Sequence, residues 1–222
     1  SINVLAGEPS GYTLDGGFLI TTDEILADAS NFGTNGTYQT AISVIAASSP
    51  IDSAYLSQGE VLFNGFQESG SWSAPELAAL DTWVQAGGVL ISTSDGVSYD
   101  EVSAFYGLVI GGVGDPVWHV ADQTSEIMNG PFGLVGTNGS AFSAAGSIAY
   151  FTTASLALGD QVLATDSVSG EPTIVLRQLG SGAILFTADE GIFRANMTGG
   201  GTIATANDRL AANVFAWAAE EV

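Results

Sequence analysis

The chain has 222 residues, with 24 Asp and Glu against three Arg, no Lys and no Cys, for a formal charge of -21. That charge repels phosphate backbones and anionic lipid, which argues against nucleic acid partners, and the missing thiols remove a disulfide framework, a cysteine nucleophile and a cysteine metal site. A hydrophobic content of 46% with 11 Phe supplies a core, no apolar run approaches the ~20 residues of a membrane helix, so no membrane insertion is expected, and the length suits a single α/β domain over residues 1–222.

Taken in order, Ile2 to Ala6 reads as a buried strand ended by the loop Gly7-Glu8-Pro9-Ser10-Gly11. Asp23 to Phe32 reads as a helix with Thr22 near its cap, Ile25, Leu26 and Ala29 inward, and Gly33 as its stop. Tyr38 to Ala46 is a second strand, Pro50 to Gln58 a short helix or turn, and Glu60 to Phe63 a third strand stopping at Asn64-Gly65. The stretch from Ser73 to Asp95 is the most explicit. Ser73 and Glu76 form a capping box, Leu77, Leu80, Trp83 and Val84 make a buried stripe, and Gly87 is placed for the left-handed turn that ends the helix. Val89-Leu90-Ile91 then follows as an apolar run without alternation, as in a strand covered on both faces. This βαβαβαβ order predicts a right-handed, doubly wound, mostly parallel sheet with helices on both faces.

Beyond Gly96, Tyr99 to Tyr106 reads as a helix closed by Gly107, and Leu108 to Ile110 as a short strand. Residues 115–145 are rich in Gly, Asn and Ser and read as a loop-rich excursion over one end of the sheet. Four strands are expected next, at Ile148 to Thr152, Gln161 to Thr165, Thr173 to Leu179 and Ala183 to Thr187, the last two forming a C-terminal antiparallel hairpin turned at Gly180-Ser181-Gly182. A final helix is expected behind an Asn207 cap, with Leu210, Val214 and Trp217 on one face.

Trp83, Val84, Gly87, Gly88 and Leu90, then Gly180, Gly182, Ile184 and Asp189, then Asn207, Asn213 and Trp217 together carry a likeness. In them the chain resembles the class I glutamine-amidotransferase-like superfamily, and within it the non-catalytic branch of ThuA-like, gliding-motility and intraflagellar-transport-type domains. The resemblance implies a flavodoxin-like, amidotransferase-like fold across most of the chain outside residues 115–145. Catalytic members place a cysteine on a sharp turn after the strand that here is Val89-Leu90-Ile91; this chain has none, so glutaminase chemistry is excluded. A non-catalytic binding or interaction module follows, recognising a carbohydrate or a protein partner, with carbohydrate drawn from the ThuA-like resemblance and from Phe66 and Trp118.

Ligands of open parallel sheets sit at the carboxyl ends of the strands. That points to Glu8, Asn64, Ser92, Ser94 and Asp95 as the ligand-contacting edge. The alternative function is a serine-type hydrolase using Ser92 or Ser94 with His119 as base, although G-x-S-x-G is missing and a lone histidine between Trp118 and Val120 is ordinarily a packed side chain. With one histidine, only oxygen ligands remain for a metal. Asp95-Gly96, Asp100-Glu101, Asp189-Glu190 and Asn207-Asp208 all fall near strand ends or helix starts, where capping competes with ligation. Asp95, Asp189 and Glu190 are the metal candidates, with calcium the cation and a calcium-stabilised structural module of an exported protein the further alternative. The composition also fits an extracellular or periplasmic protein, or the cytoplasm of a halophilic or marine organism. With no basic n-region before the first strand, any targeting segment is expected to have been removed or never to have existed.

Overall fold

A computed structural model describes residues 1–66, 72–95, 100–144 and 148–222. The first half runs β1 (Ile2–Leu5), α1 (Ile20–Ala27), β2 (Ile42–Ile45), α2 (Ser53–Leu56), β3 (Val61–Asn64), α3 (Ala74–Gln85), β4 (Val89–Thr93) and α4 (Glu101–Phe105). The second is mostly strand: β5 (Ile110–Val113), β6 (Val117–Val120), β7 (Asn129–Gly130), β8 (Gly133–Leu134), β9 (Ala141–Ser143) and β10 (Ala149–Phe151). It ends with β11 (Gln161–Asp166), β12 (Pro172–Leu179), β13 (Gly182–Thr187), a 3-10 turn at Glu190–Phe193 and α5 (Ala206–Glu220).

One nine-stranded sheet organises the molecule, in the order β2-β1-β3-β4-β13-β12-β11-β6-β9. From β2 to β13 neighbouring strands are parallel, and from β13 to β9 they are antiparallel. β3, β4 and β13 are buried at every position, as their unalternated apolar sequences require of strands covered on both faces. α1 packs with α5 and α2 with α3, and right-handed crossovers put these pairs on opposite faces. The fold is therefore α/β and doubly wound, and the chain order reverses between β1 and β3.

The local signals of the central stretch act as read. The Ser73–Glu76 capping box is formed, Leu80 and Val84 are buried while Leu77 and Trp83 of the expected stripe are only half-buried against the core, and Gly87 takes φ +120° to end α3. Elsewhere the structure corrects the expectations. α1 starts three residues earlier than the Asp23 to Phe32 reading and stops at Ala27, so Ala29 is exposed outside it. Thr22 lies inside the helix instead of capping it, because its hydroxyl donates to the Phe193 carbonyl at 2.7 Å. Likewise Thr205, not Asn207, caps α5: its hydroxyl accepts from the Asp208 amide while Asp208 reaches back to the Thr205 amide. Asn207 instead donates to the carbonyls of Ser143 and Ile192, tying the helix to β9 and the 3-10 turn.

The largest correction concerns residues 115–145. Of the described part, β6 and β9 complete the main sheet and β7–β8 form a small hairpin, so the antiparallel part is a wing of four strands and not one hairpin. Short strands with a half-buried alternation, such as Val117-Trp118-His119-Val120, are easily missed among glycines. Gly96 and Tyr99, on which part of the loop and helix reading fell, and Ala145 lie outside the described residues. Among the described residues, no helix is long and apolar enough to cross a membrane.

Candidate functional site

Backbone pairing at the carboxyl ends of β3, β4 and β13 determines which side chains meet. Asn64 lies opposite Ser92 and Thr93 opposite Thr187. Past the strand ends the pairing continues, with the Ser94 amide on the Thr187 carbonyl at 2.9 Å and the Glu190 amide on the Ser94 carbonyl at 3.0 Å. Asp95 is thereby set beside Asp189 and Glu190. Gly65 lets the chain after β3 pass under the 7–19 loop, since a Cβ there would run into the Tyr12 carbonyl.

The five residues read as a ligand edge all sit at this end of the sheet, but at different depths. The Asn64 amide donates to Ser92 Oγ at 3.2 Å, and both residues are buried. Ser94, also buried, donates to Asp100 Oδ2 at 2.5 Å and lies 3.4 Å from Ser103 Oγ, while Asp100 caps α4 through the Val102 and Ser103 amides. Glu8 and Asp95 are half-buried at the rim. Glu8 accepts from Ser49 at 3.1 Å, and burial pushes its carboxyl above the usual range. Burial likewise raises Asp95, against the opposing pull of the Arg194 guanidinium.

The three carboxylates read as metal candidates come together: Asp95, Asp189 and Glu190 each offer an oxygen, all within 4.8 Å of one another. Asp189 Oδ1 accepts from the Gly191 amide at 2.6 Å and so caps the 3-10 turn. Its Oδ2, with Asp95 Oδ1 and Glu190 Oε2, is buried without a hydrogen-bond partner among the described residues. Arg194 forms an ion pair with Glu190. Burial, reinforced by the neighbouring acids, pushes the carboxyls of Asp189 and Glu190 well above the ordinary range. By contrast, Asp208 accepts from the amides of Gly199, Ala204 and Thr205 and is a cap.

Arg194 itself was missed from the sequence, although its i+4 spacing from Glu190 was visible there. Its guanidinium carbon lies 5.3 Å from the centroid of the Tyr12 ring and 5.9 Å from that of Phe18. Those rings stack at 4.8 Å, and Phe66 meets Tyr12 edge-on at 5.5 Å. The glycine-rich 11–21 stretch gave no periodic signal for this aromatic group.

Two residues fall away from the site. His119 is on β6, opposite Thr165 of β11, four strand spacings from β4 in the sheet order, or about 19 Å. It reaches neither Ser92 nor Ser94. Trp118, read as a possible sugar platform, is fully buried against Phe142, so its ring has no face to offer a ligand.

No protein-family model and no curated protein matches the sequence. Solved structures do. The N-terminal domain of mmIFT52 aligns at a TM-score of 0.67 and 12% identity, over 98% of this chain and 96% of that one. A ThuA-like protein from Bacteroides uniformis aligns at 0.60 and 13% over 98% and 91%. A GMP synthase-like protein from Thermoplasma acidophilum aligns at 0.55 and 10% over 99% and 96%. At such identities the likeness is one of fold, and the chain has the amidotransferase-like fold of these neighbours.

Proposed function

We propose that the chain is a non-catalytic binding module that offers the carboxyl edge of its parallel sheet to a carbohydrate or protein partner. The observation that carries this reading is the state of two serines at the carboxyl end of β4, Ser92 inside the strand and Ser94 just past it. In a hydrolase the serine donates to a base that can take its proton. Here Ser94 donates to the helix-capping Asp100, a carboxylate and so a much weaker base than imidazole, on an oxygen that also accepts from Ser103; Ser92 accepts from Asn64, and the single histidine is four strands away. The aromatic group of Tyr12, Phe18 and Phe66 at the same edge, with Phe18 52% exposed, provides an apolar contact suited to a sugar ring or a protein side chain. The net charge of -21 disfavours polyanionic partners.

A fluorophosphonate probe tests the first half of this reading. No labelling of Ser92 or Ser94 is expected, and stoichiometric labelling of either serine overturns it. A glycan array run with the wild type and with Phe18→Ala tests the second half. Glycan binding lost in the variant identifies the carbohydrate class, and a blank array leaves the protein partner as the reading.

A further inference from the structure

The cluster of Asp95, Asp189 and Glu190 has features that neither capping nor the binding reading explains. A cap uses one carboxylate oxygen, and Asp189 spends Oδ1 in this way. Its Oδ2 remains, and with it Asp95 Oδ1 and Glu190 Oε2, buried acceptors with no donor among the described residues. Asp189 and Glu190 are both 0% exposed, so water does not supply the missing hydrogen bonds at the surface. Leaving buried charges in that state costs several kcal/mol per ion. One cation faces the cluster among the described residues, Arg194, and it pairs with Glu190. When all three carboxylates are ionised, two negative charges remain uncompensated.

We infer that Asp95, Asp189 and Glu190 form a binding site for one divalent cation of the calcium type. The donor set is all oxygen and anionic, which selects hard cations over thiolate- or imidazole-seeking metals. Two oxygens on opposite sides of a calcium ion, each at about 2.3–2.6 Å, are about 4.6–5.2 Å apart. One oxygen from each of the three carboxylates falls within 4.8 Å of the others, a spacing of the size that ligands of one such ion have. Water would complete the six to eight ligands such an ion takes. Arg194 is held at the rim by the Tyr12 and Phe18 rings, where it contributes to charge balance.

The site also bridges the two strands that organise the sheet. Asp95 follows β4, while Asp189 and Glu190 follow β13, and those strands are clamped by the Ser94–Thr187 and Glu190–Ser94 backbone bonds. A bound ion therefore adds a link at the carboxyl end that exists only in the folded chain, and binding is readable as stability.

The test is thermal unfolding of the full chain after chelator treatment, titrated with calcium chloride and, separately, with sodium chloride at matched ionic strength, alongside calorimetric measurement of calcium stoichiometry. The expected result is a rise in Tm that saturates at millimolar calcium or below, with one tight site per chain, and that the sodium series does not reproduce. Asp189→Asn and the more exposed Asp95→Asn are each expected to weaken calcium binding at least tenfold. The two variants are used together because removing buried charge at Asp189 alters apo stability by itself, whereas the calorimetric affinity reports the site directly. A calcium shift no greater than that of matched sodium, or tight binding that survives both substitutions, overturns the inference.

Discussion

Asp166 in the antiparallel wing and Asp189 at the carboxyl edge are both buried aspartates, 2% and 0% exposed, yet their surroundings are opposite. Asp166 accepts from the amides of Asp115, Val168 and Ser169 and from the Ser169 hydroxyl. Burial alone would raise its carboxyl, but these donors outweigh it and hold the group below the ordinary range. Elsewhere in the wing, Asp160 receives two 2.7 Å hydrogen bonds from Arg177, and Asp122 and Glu171 accept from Thr124 and Thr153. Among the described residues Asp189 has one amide donor and two acidic neighbours, and its carboxyl is driven upward. Total acidity is thus uninformative about any one acid; what separates a structural acceptor from a candidate ligand is whether the second oxygen has a donor.

That contrast treats the wing as part of the same folded body as the parallel half, and the largest expected effect tests this point. Trp118 on β6 is fully buried and packs edge-on against Phe142. Truncating a buried aromatic residue typically costs about 3–5 kcal/mol. Trp118→Ala is therefore expected to lower the midpoint of urea unfolding of the whole molecule in one transition. Separate transitions, with the parallel half unchanged, would show that the wing is an independent unit and would break the comparison.

A smaller effect is expected where α5 holds the β7–β8 hairpin. Asn213, buried within the helix, accepts from the Phe132 amide at 3.0 Å and donates to the Gly133 carbonyl at 2.9 Å. Asn213→Ala strands both backbone groups, at a cost of about 1–3 kcal/mol. Denaturant unfolding should register that loss, while Asn35→Ala, at an exposed turn, should leave the midpoint nearly unchanged.

The parallel half was legible because its signals are local and dense. Ser73 and Glu76, the stripe ending at Val84, Gly87 and the apolar Val89-Leu90-Ile91 each state one step of a strand–helix–strand unit, and the crossover rule supplies the rest. The acid cluster was legible for the same reason: strand ends in a parallel sheet converge, so acids just after β4 and β13 must approach one another. The wing was not. β6 and β9 are short, pair across more than 20 residues and lie among glycines, so the pattern of each strand is too brief to announce itself. Caps were misplaced for a further reason: Thr22 and Asn207 have the right side chains for capping, and long-range partners at Phe193, Ser143 and Ile192 claim them instead.

The smallest effect sharpens the contrast between the two aspartates by its pH dependence. Because hydrogen bonds hold the Asp166 carboxyl below its unfolded value of about 3.9, its contribution to stability is fully present above that value and is lost as pH falls through the lower, folded one. Asp166→Asn removes the charge and turns an amide toward donors that need an acceptor. At neutral pH the variant is expected to be less stable by about 1–2 kcal/mol, the order of the hydrogen bonds weakened. Toward pH 3 and below the two proteins should converge, since protonation makes the wild-type side chain a poorer acceptor too. Asp122, Glu171 and Asp208 are also held below the ordinary range, so both proteins still lose stability in acid, and the informative quantity is the difference between their Tm values. A gap that stays constant from neutral pH to acid would mean that Asp166 acts by shape alone and that its charge does not matter, which removes the electrostatic half of the comparison with Asp189.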